Sequence, residues 1–119
     1  MPVTLEIIED KQAFLLTMAD PWYISDLVAV YPDAIKYLDR AAGRVHTIVD
    51  VSKVGRIPPR SLEGRHNPFI EHRHHGDVVV VGAQDFARRI IEAALVIARF
   101  RGIQFAEDVP AALKLLRLS

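Results

Sequence analysis

The chain contains no cysteine, which excludes disulfides, thiol catalysis and zinc sites of the Cys type, and leaves the redox compartment open. It also carries no net charge, with 15 basic and 15 acidic residues. That balance argues against a nucleic-acid footprint, which usually shows a domain pI above roughly 9 and basic residues clustered on one element. No apolar run approaches the roughly 18 to 20 residues needed to cross a bilayer, and the opening MPVTLEIIED is neither basic nor followed by a cleavage-like segment, so a cytoplasmic protein without a transmembrane segment is expected. Phosphate-cradling loops of the GxGxxG or GxxxxGK[ST] kind are missing, as are HExxH spacings, internal repeats and low-complexity tracts. No cofactor is implied.

What remains is an ordinary globular composition, with 50% hydrophobic and 25% charged residues in 119. Such a chain is long enough to bury its own core, and one domain spanning residues 1–119 is expected. Charge is unevenly placed: residues 1–43 carry seven acidic and three basic groups, whereas 44–76 carry six basic and three acidic groups together with all five histidines.

The most strand-like stretch is Val45 to Val51, in which Val45, Thr47, Val49 and Val51 are β-branched at every second position and Ile48 adds a fifth. β-Branching favours the extended backbone, so this stretch predicts a central strand. His46 and Asp50 are its only strongly polar side chains. Asp50 lies near the carboxyl end, where ligands of open α/β sheets bind. It has two readings: a carboxylate that caps nearby backbone N–H groups, or a contact to a ligand or partner.

In chain order, Val3 to Ile8 and Ala13 to Met18 read as an antiparallel hairpin turned by Glu9, Asp10 and Lys11. Asp20 and Pro21 give a turn or helix-start signal. From Ser25 to Ala42, Leu27, Val28, Tyr31, Ala34, Ile35 and Leu38 recur at helical spacing. Pro32 must kink that helix or divide it into a short turn and a main segment from Asp33 to Ala42, with Gly43 as its stop. Trp22 and Tyr23 suggest core or interface packing. After the central strand, residues 55–76 are irregular, with a short helix expected near Pro59 to Arg65 and loop elsewhere. Asp77 to Gly82 (DVVVVG) has the continuous apolar run of a parallel strand buried on both faces, and should neighbour the central strand. A long helix then runs from Gln84 or Asp85 to Arg101, Ile103 to Phe105 is a last strand, and Asp108 to Leu116 a helix with an Asp cap and a proline in its first turn. The order β-β-α-β-(α)-β-α-β-α implies an α/β fold: one mixed, mostly parallel sheet with an N-terminal antiparallel hairpin and crossover helices.

This order, with the central VDVSKVGRIPP, the DVVVVG strand and the terminal FAEDVPAALKLL, resembles the STAS domain family, and within it the SpoIIAA-like branch. The resemblance spans nearly the whole chain: Asp50, Ser52, Val54 and Ile57 fit the strand-to-helix junction, and Phe105, Asp108, Ala112 and Leu113 the characteristic ending. It implies a non-catalytic regulatory or protein-interaction module. Anti-sigma-factor antagonists of the family carry a phosphorylatable Asp-Ser pair at the helix start after the central strand, but here Pro58 and Pro59 stand at those positions. Phosphorylation control is therefore not expected there. Ser61 is the nearest hydroxyl, two residues on.

Open α/β sheets bind outside the carboxyl ends of their strands, and the resembled family recognises partners at the helix start after this strand. Both place the functional surface around Ser52, Arg56, Arg60, Ser61 and His66. Guanidinium forks there could receive a partner's carboxylate or an anion, although no glycine-rich run lets a phosphate approach the backbone. A second reading is a binder of lipid or another apolar ligand, because SpoIIAA-like domains also resemble the CRAL-TRIO lipid carriers. A third, a His-dependent or metal enzyme, rests on His66, His72, His74 and His75 crowding ten residues with Glu71, Arg73 and Asp77. His72 and His74 could share a strand face, but no third-ligand spacing accompanies them, and a solvated loop leading into the Asp77 strand is the simpler expectation. Apolar side chains at nearly every position from Ile90 to Ala98 (IIEAALVIA) suggest a homo-oligomer.

Overall fold

The computed structural model describes residues 3–8, 12–54, 72–82 and 103–117. In it the first two apolar runs pair antiparallel as strands β1 (Val3–Ile8) and β2 (Ala13–Ala19). The central run forms β3 (Val45–Lys53), parallel to β2; β4 (His75–Val81) runs parallel to β3, and β5 (Ile103–Ala106) parallel to β4. The sheet order is β1-β2-β3-β4-β5, so β3 is the middle strand and the hairpin puts its antiparallel member at one edge. This is the mixed, mostly parallel α/β sheet that the residue pattern implies.

Pro32 divides the helical stretch. A short α1 (Ile24–Val28) is followed by α2 (Tyr31–Arg40), with the proline in the first turn of α2, where its missing N–H costs no hydrogen bond. Two expectations need correction at this helix. It ends at Arg40, with Ala41 already extended, rather than at Ala42, and Gly43 does not adopt the left-handed conformation of a terminating glycine. Of the two readings of Asp20 and Pro21, the structure shows the turn, and at the start of α1 Asp26 reaches back one turn, its Oδ2 accepting the Tyr23 N–H at 2.9 Å. The last helix, α3 (Val109–Leu115), starts as the sequence indicates: Asp108 accepts the Ala111 N–H at 2.9 Å and Pro110 occupies the first turn. The expected helices at Pro59 to Arg65 and Gln84 to Arg101 lie outside the described residues.

Side chains of β4 alternate between two apolar layers. Val78 and Val80 join Val3, Leu16, Met18, Trp22 and Val51 on one face, continued by Phe14 and Val45 under Ala34 and Leu38 of α2. On the opposite face Val79 and Val81 pack with Ile48, Ala112 and Leu116. All four valines are buried, as an uninterrupted valine run between two layers requires. Trp22 belongs to the core, whereas Tyr23, beside it in sequence, is 66% exposed.

Candidate functional site

Strand β3 slips register once near each end, and each slip is closed by a side chain of β3. At its carboxyl end the pairs Thr17↔Asp50 and Ala19↔Lys53 leave Met18 opposite both Val51 and Ser52. A residue inserted into a ladder leaves an amide without its regular partner. Here the Ser52 N–H donates to Asp50 Oδ1 at 2.9 Å, and the Ser52 hydroxyl donates to the same oxygen at 2.7 Å. Of the two readings of Asp50, the structure shows the capping one.

Around this turn the parallel strands finish together. The Asp20 N–H donates to the Lys53 carbonyl at 3.2 Å, the Val54 N–H to Val51 at 3.0 Å, and the Gly82 N–H to Ala106 at 3.2 Å. Gly82 has φ of 77° and lies so close to Ser52 that a Cβ would stand 2.6 Å from the Ser52 Cβ. Only glycine meets both the conformational and the steric demand. From the sequence, Gly82 reads merely as the end of a strand. Its signal was the Val-Gly step after a buried parallel strand, where backbones can approach closely.

Of the expected site residues, Ser52 is exposed at this edge. Arg56, Arg60, Ser61 and His66 lie outside the described residues. Among those described, the edge carries exposed Asp20, Glu107 and Asp108 against a single exposed cation, Lys53. Among the described residues, the positive charge beside Ser52 is that of Lys53, which reads from the sequence as one more polar strand end.

The described histidines gather at the opposite, amino ends of β3 and β4. The pairs Val45↔His75 and Thr47↔Val78 leave His46 facing both Gly76 and Asp77. The His46 ring fills that gap: its Nδ1 accepts the Asp77 N–H at 2.8 Å, and a Cβ on Gly76 would stand 2.4 Å from that Nδ1. His72 Nδ1 accepts the His74 N–H at 3.1 Å, so its proton sits on Nε2, which donates to Asp39 Oδ1 at 2.8 Å. His74 Nδ1–H donates to the Leu38 carbonyl at 2.7 Å, since a carbonyl can only accept. His75 is buried in β4 and shares a 2.8 Å hydrogen bond with the Thr47 hydroxyl. Burial, reinforced by His46, pushes its pKa down to about 4; Asp77 works in the opposite direction and His72 in the same one.

These positions correct the expectation of a solvated loop. The strand begins two residues earlier than Asp77, and the turn before it is tied to α2. His72 and His74 do not share a strand face. The two rings whose Nδ1 accepts a backbone N–H, His46 and His72, hold their remaining proton on Nε2, so in that state neither nitrogen offers a lone pair to a metal. Among the described residues no three His or carboxylate side chains converge as a metal site, and no helix is long and apolar enough to cross a membrane.

No sequence-family model matches the chain, and no curated protein matches it by sequence. Among solved structures it is similar to a Ser-to-Glu variant of RsbS from Moorella thermoacetica, with a TM-score of 0.63, 11% identity, and 98% of this chain and 96% of that one covered. The five-stranded mixed sheet, its strand order and this similarity together give the chain a STAS, SpoIIAA-like fold.

Proposed function

We propose that the chain is a non-catalytic regulatory module, one domain over residues 1–119, that recognises a protein partner at the carboxyl ends of β3 and β4. The recognising residues are Ser52 and, beyond it in sequence, Arg56, Arg60, Ser61 and His66. The observation that carries this reading is the junction of Ser52 with Gly82: two parallel strands end in van der Waals contact, with the Ser52 amide and hydroxyl both held by Asp50. So fixed an end holds Ser52 in one orientation, which lowers the ordering cost of binding there. The fold shared with RsbS, a STAS regulatory protein, supports a regulatory role. The Ser52 hydroxyl donates to a carboxylate, and the described histidines stand at the other end of the strands, an arrangement that supports binding over nucleophilic catalysis.

Pro58 and Pro59 provide neither hydroxyl nor carboxylate, so recognition is constitutive and independent of phosphorylation at those positions. The test is to purify a tagged chain and its Arg56→Glu/Arg60→Glu variant side by side from the source cells and quantify the retained protein. The variant is expected to keep its circular dichroism spectrum and to lose the partner at least tenfold. Retention with unchanged amount and salt dependence places recognition elsewhere.

A further inference from the structure

We propose that the turn at 72–74 and the bulge at Gly76 and Asp77 form a pH-released latch, closed while His46 and His72 are neutral and opened when they bind a proton. The latch is a device at the amino ends of β3 and β4, separate from the surface described above. Its basis is the direction of two hydrogen bonds. His46 Nδ1 accepts the Asp77 N–H and His72 Nδ1 accepts the His74 N–H. A proton on either Nδ1 sets N–H against N–H, converting an attraction into a repulsion and leaving an amide unpaired. The register slip is what makes this local. With Gly76 and Asp77 opposite one residue, the imidazole takes the place of a ladder carbonyl, and the glycine leaves no side chain to hold the strand once the ring departs.

The surrounding charges do not all act one way. From α2, Asp39 accepts the His72 Nε2–H and favours the cation, but its side chain is 64% exposed, where an ion pair is worth little. From β4, Asp77 favours positive charge at His75, while His46 and His72 oppose it. Within the turn, His74 donates to the Leu38 carbonyl and keeps that bond whether neutral or charged, so it anchors the turn to α2 without sensing pH. Arg73 in the turn, with Arg40 and Arg44 where α2 leads to β3, is exposed and adds positive charge to this end of the sheet. Protonating several histidines here accumulates like charge around the Thr47–His75 pair. The next three pairs, Thr47↔Val78 to Val49↔Val80, contain no titrating side chain, and the sheet persists.

Asparagine places its amide oxygen near the position of a histidine Nδ1 and does not titrate, so His46→Asn/His72→Asn keeps both acceptors and removes the trigger. Amide hydrogen exchange, expressed as protection relative to Val79, is followed by NMR from pH 7.5 to 4.5. In the native protein the Asp77 and His74 amides lose at least tenfold protection between pH 7 and 5, and in the double variant they keep it. Constant protection in the native protein, or an equal loss in the variant, overturns the latch. Long-range proton–nitrogen spectra of the native rings at pH 7.5 supply an independent check that needs no variant. Unprotonated Nδ1 on His46 and His72 supports the latch, and a proton on either Nδ1 at that pH overturns it.

Discussion

At the residue scale, two small groups at the amino end of β4 set testable energies. His75 is only 8% exposed, and its folded pKa of about 4 lies below the ordinary 6.5. Between those values the unfolded chain binds more protons than the folded one, so stability falls as pH drops. The contribution is fully present above about pH 6.5 and is lost progressively toward pH 4, amounting to roughly 3 kcal/mol. Urea melts at pH 7.5, 5.5 and 4 should show that decline, and His75→Gln, which can still bond Thr47, should flatten it. At the neighbouring position, Gly76→Ala drives a methyl group into the His46 ring. Overpacking of this kind costs about 1 to 3 kcal/mol, read as a lowered urea midpoint at pH 7.5 with an unchanged slope.

At the element scale, the valines of β4 are sandwiched between the layer of Leu16 and Trp22 and that of Ile48 and Ala112. Val79→Asp or Val80→Asp buries an unpaired carboxylate, a cost of several kcal/mol against a total stability of about 5 to 15. Both variants should fail to accumulate as soluble protein, and normal folding of the pair contradicts the burial of the strand. Asp108→Ala removes only a helix cap and should cost about 1 kcal/mol, seen in thermal melts. Period and breaker signals made these elements legible: the hairpin, the divided helix at Pro32, both central strands and the capped α3 all follow from local residue type. The register slips were not legible, because they depend on which residue of β4 meets His46 across the sheet. His75 was misplaced for the same reason. A histidine next to glycine reads as loop until a Thr47 hydroxyl 28 positions away supplies its partner.

At the scale of the whole molecule, β3 ties the two ends of the sheet together, with His46 closing a slip at one end and Asp50 closing a slip at the other. The surface at the Asp50 end was half legible. Sheet logic and the family resemblance located the strand ends and picked out Ser52, but neither could show that Gly82 presses against it. Self-association through the apolar Ile90 to Ala98 stretch is a further expectation from the sequence. Light scattering at micromolar concentration should give a mass above the 13.4 kDa of one chain, and a monomer contradicts it. The most direct test of the central claim, recognition at the carboxyl ends of β3 and β4, is a hydrogen-exchange footprint of the chain with and without the protein that co-purifies with it. New protection is expected at Ser52 to Val54 and at Gly82, and none at 72–76. Protection confined to 72–76, or absent at Ser52 and Gly82, contradicts it.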